Sequence, residues 1–169
     1  MKKSSDFTPP VLAISGVKNS GKTTLLTSII PILRKRGLRV AVIKHDGHDF
    51  ECDVPGTDSR KLLEAGASGI AVYSPHKLMT VQKLAFAVED IIPQFGYADL
   101  ILLEGNKHSH YKKIEVLRRA VSAEPVCGPS TLIALYTDTG LEIAGVPTIG
   151  FGDYAAVVER ILAALAEEK

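Results

Sequence analysis

The sequence predicts a three-layer α/β domain, a mostly parallel sheet with helices on both faces. Three observations predict it. Short apolar runs alternate along the 169 residues with segments whose apolar positions fall at helical spacing, the pattern of strand–helix–strand units. The first run passes into the first helix through Gly16-Val17-Lys18-Asn19-Ser20-Gly21-Lys22-Thr23, which fits G-x-x-x-x-G-K-[ST], the phosphate-binding P-loop. A later run, residues 98–103, is almost wholly apolar, as a strand covered on both faces must be, and it ends on Glu104-Gly105.

Taken in order, residues 1–10 read as a tail that Pro9-Pro10 ends, and the chain as one nucleotide-binding domain. Residues 11–14 are the first strand. The helix after the loop runs to about Arg36, with Pro31 inside it and Gly37 as its C-terminal stop. Residues 39–44 form a second strand, which feeds a long polar loop over residues 45–56 at the carboxyl edge of the sheet, where open α/β proteins bind ligands. Thr57-Asp58-Ser59 caps a helix that stops at Gly66. Residues 69–73 and 78–81 read as further strands and residues 84–95 as a helix. Residues 112–119 alternate polar and apolar, the pattern of a strand with one solvent face and a free edge. Residues 120–131 are an irregular connection. Residues 132–136 and 146–151 are the last strands, and Asp153 caps a closing helix to Ala166.

Charge and composition narrow the function classes. Lys plus Arg number 20 and Asp plus Glu 19, a formal net charge of +1, so no nucleic-acid or membrane-surface binding is expected. No apolar run approaches the ~20 residues of a membrane span, and residues 11–14 are too short for a signal-peptide core of ~7–15. Two cysteines, Cys52 and Cys127, make no disulfide framework, which points to a reducing cytoplasm.

The P-loop defines the chemistry. Gly16 and Gly21 permit backbone conformations that a Cβ would block. Lys18, Asn19, Ser20 and Thr24 complete a loop whose N–H groups converge on phosphate at a helix N-terminus. Lys22 would reach the β- and γ-phosphates of a nucleotide, and Thr23 would bind Mg²⁺. An acidic partner is then needed at the end of a neighbouring strand. Glu104 fits, as metal ligand or water-orienting group, with the Gly105 N–H facing the γ-phosphate. Asp53, in Asp53-Val54-Pro55-Gly56, reads equally as a second metal-shell carboxylate and as a turn residue. His45, His48 and Cys52 read first as a phosphate- or partner-contacting loop and second as a transition-metal site. Asp138, at the end of a later strand, is placed to accept hydrogen bonds from guanine; a plain turn aspartate is the alternative.

The order of these blocks resembles the MobB-type P-loop GTPases of molybdopterin-guanine dinucleotide biosynthesis. The resemblance rests on Ser20-Gly21-Lys22-Thr23-Thr24-Leu25 and on Lys44-His45 followed by His48. It continues through Asp53, Gly56, Asp58-Ser59 and Ala65-Gly66-Ala67, then Asp99 to Gly105 and Lys113-Ile114-Glu115-Val116. It implies a GTP- and Mg²⁺-binding, slowly hydrolysing homodimer that associates with the enzyme transferring GMP onto molybdopterin, the molybdenum cofactor guanylyltransferase. It also implies that Lys44, His45 and His48 line the phosphate-side loop. Asn106 stands where many relatives carry an aromatic residue. Two other classes compete: a P-loop small-molecule kinase, whose arginine lid only Arg118-Arg119 offers to supply, and a nickel-delivery GTPase using His45, His48 and Cys52.

Overall fold

The computed structural model describes residues 7–47, 50 and 53–167. These residues fall into two compact units, one holding the chain up to His45 and from Ile91 onward, the other the stretch between Asp46 and Asp90.

The first unit is built on a six-stranded sheet in the order β2-β5-β1-β6-β7-β8. The strands are β1 (Val11–Ser15), β2 (Val40–Lys44), β5 (Leu100–Glu104), β6 (Lys113–Leu117), β7 (Leu132–Thr137) and β8 (Thr148–Gly150), and every neighbouring pair is parallel. All carboxyl ends therefore share one edge. Leu12, Ile14, Leu100, Leu102, Ile114, Val116, Ala134 and Tyr136 project from one face into a common core. There they meet Leu25, Ile29 and Leu33 of α1 (Lys22–Lys35) and Val157, Val158 and Ile161 of α4 (Tyr154–Ala166). Each fully buried Leu, Ile or Val contributes about 1.5–3 kcal/mol, which fixes α1 and α4 on this face. The ends of α1 follow from its sequence. Gly37 takes φ 87° and donates to the Arg34 carbonyl, while Leu38 donates to Leu33, a Schellman stop. Pro31 sits within the helix without ending it. The Asp153 carboxylate caps α4 by accepting from the Ala156 N–H at 3.0 Å.

The second unit contains α2 (Asp58–Glu64) and the hairpin β3 (Gly69–Ser74)–β4 (Lys77–Gln82). Thr57 caps α2 through its hydroxyl, and Gly66 at φ 106° closes it. The hairpin turns over Pro75-His76 and forms its own antiparallel two-stranded sheet, so these strands do not extend the parallel one.

Two other expectations are corrected. The helix expected over residues 84–95 shrinks to α3 (Val88–Ile91) and a 3₁₀ turn, Ile92–Phe95. Asp90 accepts from the Ala87 N–H at 2.8 Å and starts the helix late. Pro93 has no N–H to continue it. The strand expected to present a solvent face and a free edge is β6. It is instead interior, paired to β1 and to β7, and all five of its residues are buried. Its charged residues are satisfied by loop backbone. Lys113 Nζ donates to the Ser109 carbonyl at 2.6 Å and the Lys107 carbonyl at 3.2 Å. Glu115 accepts from the N–H groups of Val126 at 2.6 Å and Cys127 at 3.1 Å.

Candidate functional site: a phosphate loop facing a strand-end glutamate

β1 delivers the chain to the loop at Ser15, which is fully buried. Gly16 follows at φ 134°, and a Cβ there would lie 2.5 Å from the Val116 carbonyl oxygen, so no other residue fits between β1 and β6. Asn19, at φ 63°, and Gly21, at φ 104°, bend the loop into the first turn of α1. That turn has no side-chain cap, which leaves leading N–H groups of a 14-residue helix for a ligand. Ser20 is fully buried, and among the described residues its Oγ has no hydrogen-bond partner. A buried hydroxyl without a partner is costly; a phosphate oxygen in the loop would satisfy it. Lys18, Asn19 and Thr24 are exposed.

Lys22 folds back over the loop, its Nζ donating to the Val17 carbonyl at 2.7 Å and the Gly16 carbonyl at 3.2 Å. Burial lowers its pKa. Glu104 opposes that shift, and Lys44 and Lys107 add to it. A cation under this strain gains from a polyanion. Thr23 Oγ1 donates to Glu104 Oε1 at 2.6 Å, joining the start of α1 to the end of β5. The strand register makes this contact: Ile14 pairs with Glu104, so Glu104 ends its strand level with the start of the loop. Three further bonds hold the strand end. Ser15 Oγ donates to the Gly105 carbonyl at 2.6 Å, Gly105 N–H to the Ile14 carbonyl at 3.0 Å, and His45 N–H to the Glu104 carbonyl at 3.0 Å. The Gly105 N–H, expected to face a γ-phosphate, is thus committed to β1.

The remaining expected site residues divide among the carboxyl edge of the sheet, the second unit and positions outside the described residues. Lys44 pairs with Glu104 across β2 and β5; its side chain and that of His45 are exposed at the same edge. Asp138 is exposed just past β7 and accepts from the Arg119 N–H at 2.7 Å. Asp53 belongs to the second unit, where its carboxylate accepts from the Val54 N–H at 2.8 Å. The Ser59 hydroxyl, and after it Val54 N–H, the Thr57 hydroxyl and Arg60, hold its pKa below the usual range. His48 and Cys52 lie outside the described residues. Among the described residues no three His, Cys, Asp or Glu side chains gather as a metal site. A hydroxyl and a carboxylate, Thr23 and Glu104, are hard oxygen donors of the kind Mg²⁺ takes beside phosphate.

Sequence reasoning missed Ser15, which ties β1 to the Glu104 strand end, and the buried trio Lys113, Glu115 and Cys127 beneath the loops. The only signal was the placing of charged residues between apolar ones, which reads as a solvent face.

Fold and loop together define a P-loop NTPase-like α/β protein. The chain belongs to the MobB family: the model of molybdopterin guanine dinucleotide synthesis protein B matches residues 11–138. Among its relatives is the molybdopterin-guanine dinucleotide biosynthesis adapter protein of Haemophilus influenzae, 35% identical over 138 residues, or 79% of this chain and 78% of that protein. The adapter protein of the same description from Escherichia coli is 39% identical over 127 residues, 69% of this chain and 70% of that protein. The crystal structure of Bacillus subtilis MobB superposes with a TM-score of 0.77 at 25% identity, covering 91% of this chain and 96% of that one.

Proposed function

We propose that this chain is a GTP-binding adapter in molybdopterin guanine dinucleotide biosynthesis. Its nucleotide state would serve a partner enzyme that transfers GMP onto molybdopterin, and its own hydrolysis is at most slow and Mg²⁺-dependent. The adapter role is supported by family membership and by the names of the relatives. The nucleotide reading rests on one observation, the 2.6 Å contact from Thr23 to Glu104 at the mouth of the P-loop. That contact puts a hydroxyl beside a carboxylate, hard oxygen donors of the kind Mg²⁺ takes beside phosphate, which supports the reading.

The residues divide the work by chemistry. Gly16 and Gly21 shape the backbone cradle, and Ser20 Oγ and the first N–H groups of α1 supply donors for phosphate oxygens. Lys22 exchanges its two carbonyl acceptors for phosphate oxygens, a stronger charge-assisted bond. Mg²⁺, when bound, adds positive charge at the phosphates, held by Thr23 and by Glu104 directly or through water. Glu104 also offers a carboxylate to orient a water. Among the described residues, the one adjacent arginine pair outside α1, Arg118-Arg119, does not present a free lid over the loop. Arg119, one of the two candidates, spends its Nη2 on the Thr139 carbonyl at 3.0 Å.

The test is titration with GTP and ATP, each with and without Mg²⁺. GTP should bind better than ATP, and its affinity should depend on Mg²⁺. Glu104→Gln should bind GTP but lose most of the Mg²⁺ dependence. Lys22→Ala should lose about 1.5–3 kcal/mol, roughly ten- to a hundredfold in affinity. Undiminished GTP binding by folded Lys22→Ala would overturn the phosphate site.

A further inference from the structure

We propose that Phe151 and Asp138 form the base subsite of the nucleotide, with the Phe151 ring stacking on the purine and the Asp138 carboxylate accepting from the guanine edge. The proposal rests on the nucleotide reading above and adds to it the feature that selects the base.

The placement follows from strand register. Ser15 pairs with Glu115 on β6, Leu117 with Thr137 on β7, and Thr137 with Gly150 on β8. Asp138 and Phe151 are therefore the next residues past the paired ends of β7 and β8, on the carboxyl edge that also carries the P-loop. Neighbouring strands lie ~4.8 Å apart, so the ends of β7 and β8, two and three strands from β1, sit roughly 10–14 Å from it along that edge. That separation is comparable to the span of a nucleoside triphosphate from its phosphates to its base.

Both residues are preorganised. The Phe151 ring stacks on Tyr136, with centroids 4.6 Å apart and planes at 24°. Tyr136 is buried in the core, and its hydroxyl accepts from the Gly152 N–H at 2.8 Å, which fixes the backbone next to Phe151. Gly152 takes φ 92°, and Asp153 then begins α4. Phe151 is thus backed by a second ring and still 39% exposed. An aromatic face prepared in this way binds any base by stacking. Asp138 supplies the choice among bases. Its Oδ1 accepts from the Arg119 N–H at 2.7 Å, which orients the carboxylate. An ionised carboxylate has about four lone-pair sites, so acceptor capacity remains for guanine N1–H and the 2-amino group. Adenine presents an acceptor at N1 and xanthine an oxygen at C2, and both oppose a carboxylate. The plain alternative, an aromatic that merely closes the end of the core, gives Phe151 no ligand dependence.

The experiment is calorimetric titration of the full chain, in Mg²⁺, with GTP, ATP, xanthosine triphosphate and inorganic tripolyphosphate. Phe151→Ala should weaken GTP and ATP by about five- to a hundredfold and leave tripolyphosphate unchanged, and Phe151→Tyr should retain binding. Phe151→Leu keeps apolar volume without a ring and carries the same expectation should Phe151→Ala fail to fold. Asp138→Asn should weaken GTP about tenfold or more and tighten xanthosine triphosphate. An unchanged ratio of GTP to tripolyphosphate affinity in Phe151→Leu, or no gain for xanthosine triphosphate in Asp138→Asn, overturns the subsite. A native chain that binds tripolyphosphate as tightly as GTP overturns the subsite alone. One that binds neither overturns the nucleotide reading with it.

Discussion

Lys113 and Glu115 sit two residues apart on β6, both buried, and each holds a different loop: Lys113 the β5–β6 connection, Glu115 the β6–β7 connection. Cys127 lies against them. Burial first, then the Glu115 charge and hydrogen bond, raise its thiol pKa from 9.0 to about 12, against smaller opposing effects of Lys113 and Ser15. The sign follows from linkage. Between about 9 and about 12 the unfolded thiol has lost its proton while the folded one keeps it, so the unfolded state binds fewer protons and stability falls as pH rises. The contribution is fully present below pH 9 and lost through pH 12, with a slope of at most ~1.4 kcal/mol per pH unit. Tyr136, also raised by burial, acts in the same sense. Lys113, lowered by burial from 10.5, acts in the opposite one. Subtracting the denaturation curves of Cys127→Ala from those of the native chain isolates the thiol. The native chain should lose more stability than the variant above pH 9; parallel pH profiles would show that the thiol is not shifted.

At the scale of elements, the free edges lie elsewhere than the sequence suggested. β6 is paired on both sides, so it offers no docking edge. The β3–β4 hairpin is a two-stranded sheet, each strand paired on one side within it. Its register places Tyr73 opposite Leu78 and Val72 opposite Met79, and Tyr73 is 81% and Leu78 69% exposed. A two-stranded hairpin is marginal alone in water, and apolar pairs on such an edge invite strand pairing. The homodimer implied by the family resemblance is therefore expected to use this hairpin. Sedimentation should show a dimer at tens of micromolar, roughly the range in which weak interfaces persist; Leu78→Lys should shift it toward monomer, and an unaffected dimer would place the interface elsewhere. The strands β1, β2, β5 and β7, the caps Thr57 and Asp153 and the stop at Gly37 were all legible, because each is decided by nearby residues or by a continuous apolar run. So was the position of Glu104 at a strand end beside the loop, since it closes a continuous apolar run. The interior position of β6 was not. Alternation reports a polar face only if water is the partner, and here the partners are carbonyls and N–H groups of distant loops. The hairpin turn escaped for a related reason: Pro75-His76 is not an Asn-Gly or Asp-Gly signal.

For the molecule as a whole, the chain leaves the parallel sheet at one well-anchored point. His45, the last residue of the first unit before the second begins, donates its N–H to the Glu104 carbonyl, and Glu104 in turn accepts from Thr23. A nucleotide that drew Thr23 and Glu104 toward a metal would act on the residue from which the second unit departs. In P-loop switches a segment orders on the γ-phosphate and relaxes after hydrolysis. An adapter uses such a change only if its partner binds one state better than another; equal affinity for every state transmits nothing. A coupling of about 1–3 kcal/mol, five- to 150-fold in affinity, is the usual range. The expected result is that the GMP-transferring enzyme distinguishes the nucleotide-free, GDP and GTP-analogue forms by at least fivefold. By reciprocity the enzyme should raise GTP affinity by the same factor it gains from GTP. Both affinities are measurable by titration, and Glu104→Gln should reduce the coupling while keeping the complex. Equal binding of all three forms would make the protein a static scaffold, in which the loop and its glutamate hold a nucleotide without reporting its state.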